Sequence, residues 1–346
     1  MHMADALLSP AVGATFWAGT AAAIAYSSKK IRETADEKVI PLMGVLGAFI
    51  FAAQMINFTI PGTGSSGHLG GGMILAALVG PYAALLVMAS VLTVQALFFA
   101  DGGLLALGCN IWNLGIYPCF IAYPLIFKPL VRKNSSPQKI IAASLLSSVV
   151  SLQLGAFSVV IETVLSGRSE LPFSTFLYLM QPIHLVIGLV EGMATAGLLL
   201  FVKNARPEIL ESAVAARPLS SGVSLRRVVI TMAVFAALTG GMLSWFASAN
   251  PDGLEWSIEK VFGKPELPEQ ETGLTAALKL LQEHTAFLPD YGFKKPAAPA
   301  ENEDAGEQWP AVEPGTTVSG LLGSGIVLGA VLLIGCAAKA MRKHLK

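Results

Sequence analysis

The chain has 346 residues, 53% of them hydrophobic and only 13% charged, with 34 glycines. That balance excludes a soluble domain with an ordinary polar surface and points to a polytopic membrane protein. Lys and Arg number 23 and Asp and Glu 23, so the formal net charge is zero and no nucleic acid is expected as a partner.

Met1-His2 opens the chain. A free α-amine, one backbone amide nitrogen and an imidazole lie within a few bonds of each other. They can close fused chelate rings around a metal and leave one equatorial position open. Square-planar nitrogen coordination is what Ni²⁺ or Cu²⁺ prefers. In most proteins such a histidine is simply an early residue at a frayed terminus. The segment has no positive n-region and carries Asp5 before the apolar run, unlike a signal peptide. It is expected to stay on the mature protein, with the bulk of His2 preserving Met1.

Apolar segments follow at about 11–28, 39–57, 82–100, 104–127, 140–165, 177–202, 228–248 and 318–341. Each is near the ~20 residues that a helix needs to cross hydrocarbon. A shorter stretch, about 68–79, ends at Gly80-Pro81, a pair that breaks helices. It reads as a short membrane helix whose ends are buried in protein or line a cavity. Between 57 and 82 also lies Pro61-Gly-Thr-Gly-Ser-Ser-Gly-His-Leu-Gly-Gly-Gly72. Its glycines let backbone approach backbone or ligand closely. Its single histidine, His68, has the reach to fill the fourth position of a Met1-His2 chelate, or else sits at the interface of a glycine-rich turn.

Basic clusters at Lys29–Lys38, Lys128–Lys139, Lys203–Arg227 and Lys339–Lys346 set the orientation. By the positive-inside rule all four are cytoplasmic. Alternation then places the N-terminus and the 62–68 turn outside, the C-terminus in the cytoplasm, and gives nine membrane helices with the short one counted. Met1, His2 and His68 thus share one compartment. The fold class is all-α and polytopic: a membrane domain over 1–203, a cytoplasmic linker at 204–227, and a two-helix part at 228–346. The loop 249–316 of that last part falls outside. It contains a short amphipathic helix at 272–284 and a run at 296–314 whose composition reads as disordered. Pro251-Asp252-Gly253 reads as a turn close enough to touch the N-terminal segment.

Several intramembrane polar groups have two readings. Asn57, Gln95, Asp101, Asn110 and Asn113 either orient the N-terminal loop from a second layer or hydrogen-bond helix to helix. Glu162 and Glu191 are buried ionisable groups, Glu191 with a pairing role inside the bundle. His184 reads as structural. The small-residue run 188–197 is a helix-packing face. Cys109, Cys119 and Cys336 lie in apolar stretches as small packing residues.

Taken together, Met1-His2-Met-Ala-Asp-Ala-Leu-Leu-Ser-Pro10, Phe51-Ala-Ala-Gln-Met-Ile-Asn-Phe58, Gly67-His68-Leu69 and Gln95-Ala-Leu-Phe-Phe-Ala-Asp-Gly-Gly-Leu-Leu-Ala-Leu-Gly108 resemble the CbiM/NikM proteins. These are substrate-capture (S) components of energy-coupling factor (ECF) importers for cobalt and nickel. The resemblance runs through about residue 203. Asn250-Pro-Asp-Gly-Leu-Glu-Trp256 and the glycine-rich stretch 315–336 resemble the two-helix CbiN/NikN partner, here fused. The resemblance implies a seven-helix S-component bundle plus two additional membrane helices in the cell inner (plasma) membrane. It implies Ni²⁺ or Co²⁺ as transported substrate, held by the amine of Met1, the amide and imidazole of His2, and His68. In an S component the 188–197 face would dock the coupling subunit. The implied partners are a transmembrane coupling (T) subunit and two ATP-binding cassette ATPases, separate chains because no Walker A sequence occurs here. Two other readings compete. An intramembrane metalloenzyme needs a pattern such as H-E-x-x-H, which the five histidines do not form. An S component for an organic vitamin would have an aromatic-lined pocket and no need of His2 and His68.

Overall fold

The computed structural model describes residues 2–34, 38–132, 135–168, 171–219, 224–268, 273–294 and 309–344. Helices occupy every apolar stretch read from the sequence. They are α1 (Pro10–Thr34), α2 (Val39–Gln54), α3 (Gly72–Val79), α4 (Pro81–Phe99) and α5 (Leu107–Ile111). The last continues as a π-helical segment, Trp112–Phe127, into the single turn α6 (Lys128–Leu130). Then come α7 (Pro137–Ser166), α8 (Phe173–Ala205), α9 (Pro207–Ala215), α10 (Arg226–Gly241), α11 (Gly253–Phe262), α12 (Gly273–Thr285) and α13 (Pro314–His344). Among the described residues four helices, α4, α7, α8 and α13, are long and apolar enough to cross a membrane singly, with α2 a shorter apolar helix.

The sequence reading is corrected in several places. The 39–57 segment stops being helical at Gln54, and the 228–248 segment at Gly241, where a 3₁₀ turn, Leu243–Phe246, takes over. The 204–227 stretch is not a bare linker. It carries α9, whose Ile209 and Leu210 are buried, and Tyr123 donates to the Ala213 carbonyl at 3.1 Å. The region 296–308 lies outside the described residues, and the helix read at 272–284 is α12.

The core is one continuous apolar cluster that runs from Met3 through α2, α3, α4 and α8 and reaches Val327 and Val331 of α13. The final two long helices therefore do not stand apart. Helix α13 lies against α2, α4 and α10, and the Ser324 hydroxyl donates to the Ala48 carbonyl at 3.1 Å. Helix α3 is the central short element. It starts beside the glycine-rich loop, is buried from Gly72 to Leu78, and touches α4, α8 and α9. On the outside of α7 and α8, Leu165, Tyr178, Leu185, Leu189 and Met193 are exposed, as a lipid-facing surface requires.

In the 188–197 run, Gly188 and Gly192 are spent on an intramolecular contact with α7, while Gly197 faces open space. A Cβ on Gly188 would lie 3.0 Å from Val149 Cα, and one on Gly192 2.6 Å from Leu145 Cα. Small residues let α7 and α8 approach backbone to backbone, the packing that stabilises helix pairs in lipid. Gly192→Val should therefore force α7 and α8 apart and lower stability by about 1–3 kcal/mol, the usual cost of overpacking. Thermal unfolding of the detergent-solubilised chain measures it.

Candidate metal centre

The N-terminal segment is pinned to the loop that follows α4. Met3 is fully buried. Its N–H donates to Asn110 Oδ1 at 2.8 Å, and its carbonyl accepts from Asn110 Nδ2 at 3.2 Å and from the Gly103 N–H at 2.9 Å. Asp5 Oδ1 accepts from the Ala106 N–H at 2.9 Å. Close approach is possible because Gly102 (φ +82°) has no side chain: a Cβ there would sit 2.9 Å from Asn110 Nδ2 and 3.4 Å from His2 Cβ. Helix α4 ends with Ala100 in the left-handed region (φ 56°), a strained conformation for a residue with a Cβ. That turn directs Asp101 toward the N-terminus.

His68 arrives from the other side on a hairpin, β1 (Phe58–Ile60) paired antiparallel with β2 (Ser65–Gly67). The following backbone is captured by the bundle. Glu191 of α8 accepts from the Gly70 N–H at 2.8 Å and the Gly71 N–H at 3.2 Å. Gln54 Nε2 donates to the Gly70 carbonyl at 2.8 Å, and Gln95 Nε2 donates to Gln54 Oε1 at 2.9 Å. His68 Nδ1 lies 3.1 Å from the Leu69 carbonyl. A carbonyl only accepts, so Nδ1 carries the proton and Nε2 the lone pair.

The two histidines, 66 positions apart in sequence, meet as parallel rings with centroids 5.0 Å apart and 12° between planes. Both side chains are buried. His2 Nδ1 is 3.2 Å from Asp101 Oδ1, while His2 Nε2 is buried with no hydrogen-bond partner. His68 Nε2 is 4.0 Å from Asp252 Oδ2. Among the described residues no three His, Cys, Asp or Glu side chains form a metal-binding group.

Residues 2–209 match the family described as "Cobalt uptake substrate-specific transmembrane region", and residues 226–340 match the PDGLE domain. The chain belongs to the cobalt-uptake transmembrane family. A relative from Archaeoglobus fulgidus, provisionally named fused nickel transport protein NikMN, is 32% identical over 95% of this chain and 96% of its own length. The cobalt transport protein CbiM of Sorangium cellulosum is 31% identical over 61% of this chain and 95% of its own length. A crystal structure of a transition metal transporter superposes with a TM-score of 0.53 at 28% identity, covering 61% of this chain and 97% of that one. The family and its relatives are transport proteins, not enzymes.

In this member of the family the residues singled out from sequence divide clearly. His2, His68, Asp101 and Asn110 come together, with Gln95 joined to the His68 loop through Gln54. Asn113 touches Met3 Sδ at 3.9 Å but donates chiefly to Glu162 at 3.0 Å, so it serves the α7 contact. Asn57 lies at the end of α2, where its carbonyl accepts from the Ser248 N–H at 2.7 Å; no bond from its side chain reaches the N-terminal loop. Met1 lies outside the described residues. His184 gives Nδ1 to the Met180 carbonyl at 2.8 Å, a structural role.

Two elements escaped the sequence reading. Pro251-Asp252-Gly253 is more than a turn. Asp252 caps α11, with Oδ1 accepting from the Leu254 and Glu255 N–H groups, and Glu255 returning a bond to the Asp252 N–H. The D-x-x-E spacing was the available signal. Tyr291, which donates to Asp101 Oδ2, carried no signal, because nothing local marks a contact across 190 residues.

Burial is the largest effect on both histidines and pushes each from 6.5 down to about 3. Both imidazoles are therefore neutral at pH 7 and offer lone pairs. Between about 3 and 6.5 the unfolded chain binds more protons than the folded one, so stability falls as pH drops through that window. The melting temperature should fall between pH 7 and pH 5, and fall less in His68→Ala. A pH scan of thermal unfolding for the two proteins checks this.

Proposed function

We propose that this chain is the substrate-capture subunit of an ATP-driven importer of the ECF type for Ni²⁺ or Co²⁺. It sits in the cell membrane with its N-terminus outside and its C-terminus in the cytoplasm. It works with a coupling (T) subunit and two ATP-binding cassette ATPases. The observation that carries the reading is the meeting of His2 and His68 beside a pinned N-terminus. Relatives named as nickel and cobalt transport proteins support the choice of cargo.

The ion is held by the amine of Met1, the amide and imidazole of His2, and Nε2 of His68. Four nitrogen donors suit square-planar Ni²⁺. A chelate through the amide of His2 itself uses Nδ1, because Nε2 points away from its own backbone. In the structure Nδ1 faces Asp101 and Nε2 has no partner. Capture therefore requires the imidazole to reorient about both Cα–Cβ and Cβ–Cγ, so that Nδ1 turns to the ion and Nε2–H to Asp101. A carboxylate on the far imidazole nitrogen fixes the tautomer and raises the basicity of the ligating one. A cavity of about 260 Å³ beside His2, lined by Asp5, Asp101 and Gln282, offers room for an arriving ion.

His2→Ala or His68→Ala should abolish tight binding, as should one extra residue before Met1, which moves the amine out of the chelate. Calorimetric titration with Ni²⁺ and Co²⁺ measures it, and normal Ni²⁺ affinity in the extended protein would overturn the chelate. Uptake should require the coupling subunit and ATPases. Vesicles containing this chain alone should accumulate no metal above equilibrium, whereas rapid ATP-independent accumulation would refute the importer assignment.

A further inference from the structure

The polar contacts of Asp101 do not end within the N-terminal domain. Its second oxygen, Oδ2, accepts from the hydroxyl of Tyr291, which lies on a 3₁₀ turn, Pro289–Tyr291, between α12 and α13. The turn is fixed to the end of α4 by several bonds. The Leu288 N–H donates to the Phe98 carbonyl at 3.3 Å. Gln282 Nε2 donates to the carbonyls of Ala96 and Gly102, both at 2.8 Å, on either side of Asp101. The Tyr291 ring stacks on Phe99 at 5.1 Å and meets Phe51 edge-on at 6.1 Å. The Ser319 hydroxyl of α13 holds the Tyr291 carbonyl at 2.8 Å.

We propose that Tyr291 is a positioning residue for metal capture, acting through Asp101 to set the orientation of the His2 imidazole. This rests on the chelate described above. A carboxylate with one oxygen on a fixed hydroxyl has its other oxygen aimed in one direction, here at His2. Held this way, Asp101 is placed to accept from an imidazole N–H of His2, which is what a ligating histidine needs from its outer partner. The C-terminal part thereby acts on the chelate without touching the ion. The Sorangium cellulosum relative, whose match covers 61% of this chain, aligns over nearly its whole length without needing the rest.

Tyr291→Phe removes one oxygen and keeps the ring that packs on Phe99 and Phe51, so the fold is retained. In the full chain, Ni²⁺ affinity should fall on the order of ten-fold, the lower end of losses for outer partners of metal ligands. The ligand-field absorption bands of bound Ni²⁺ should shift, and ¹⁵N spectra of the metal-free protein should show a changed His2 tautomer. Neither spectrum would move if Tyr291 were only a packing residue. Because Tyr291 acts through Asp101, the double variant with Asp101→Asn should bind no worse than Asp101→Asn alone. Full affinity and unchanged bands in Tyr291→Phe, or additive losses in the double variant, would overturn the proposal while leaving the chelate intact. Full affinity in His2→Ala would overturn the chelate itself.

Discussion

A glycine-rich loop buried in a membrane protein carries bare amide groups with no side chains to shield them and no water to satisfy them. Glu191 resolves this by accepting from two consecutive N–H groups, Gly70 and Gly71, from within α8. That carboxylate helps fix the backbone that follows His68. Helix α8 holds the loop on one face and meets α7 through Gly188 and Gly192 on another. The N-terminal segment has an equivalent anchor in Asn110, which uses both ends of its amide on the main chain of Met3. Two polar side chains thus fix two backbones, and the two histidines follow from those backbones.

The C-terminal part forms the remaining wall. Asp252, the cap of α11, stands by His68, while Tyr291 and Gln282 close on the loop that carries Asp101. Ser66 ties the hairpin to this wall, its N–H and hydroxyl bonding the carbonyls of Pro251 and Asn250 at 2.8 and 2.7 Å. The Trp256 indole adds a bond to the Thr63 carbonyl at 3.0 Å. The wall is thus hydrogen-bonded to the hairpin that leads to His68 and to the loop that carries Asp101, and does not merely lie near them.

Much of this was legible in the sequence, for physical reasons. Apolar runs near membrane thickness located the helices, and Gly80-Pro81 marked the break between α3 and α4. The Met1-His2 pattern and the glycine-rich segment singled out His2 and His68, and Asp101 and Asn110 stood out because polar groups in an apolar chain demand partners. What the sequence hid was contact between distant segments. Asn113 had the same credentials as Asn110 and went to Glu162 instead. The run 188–197 had the small residues of a docking face, but the chain's own α7 takes up Gly188 and Gly192. Small residues predict close approach without naming the neighbour. The helix ends at Gln54 and Gly241 fell short of the apolar runs because hydrophobicity sets where a segment lies, not where its backbone leaves the helix.

Helix α3 has eight residues, about 12 Å of rise. One end grows out of the backbone that Glu191 clasps, and the other reaches α9 beside a cavity of about 470 Å³ lined by Leu78, Val79, Ile209 and Ala213. So short and fully packed a rod has no internal bend to absorb a push. That rod links the backbone beside His68 to the α9 side of the bundle without a break.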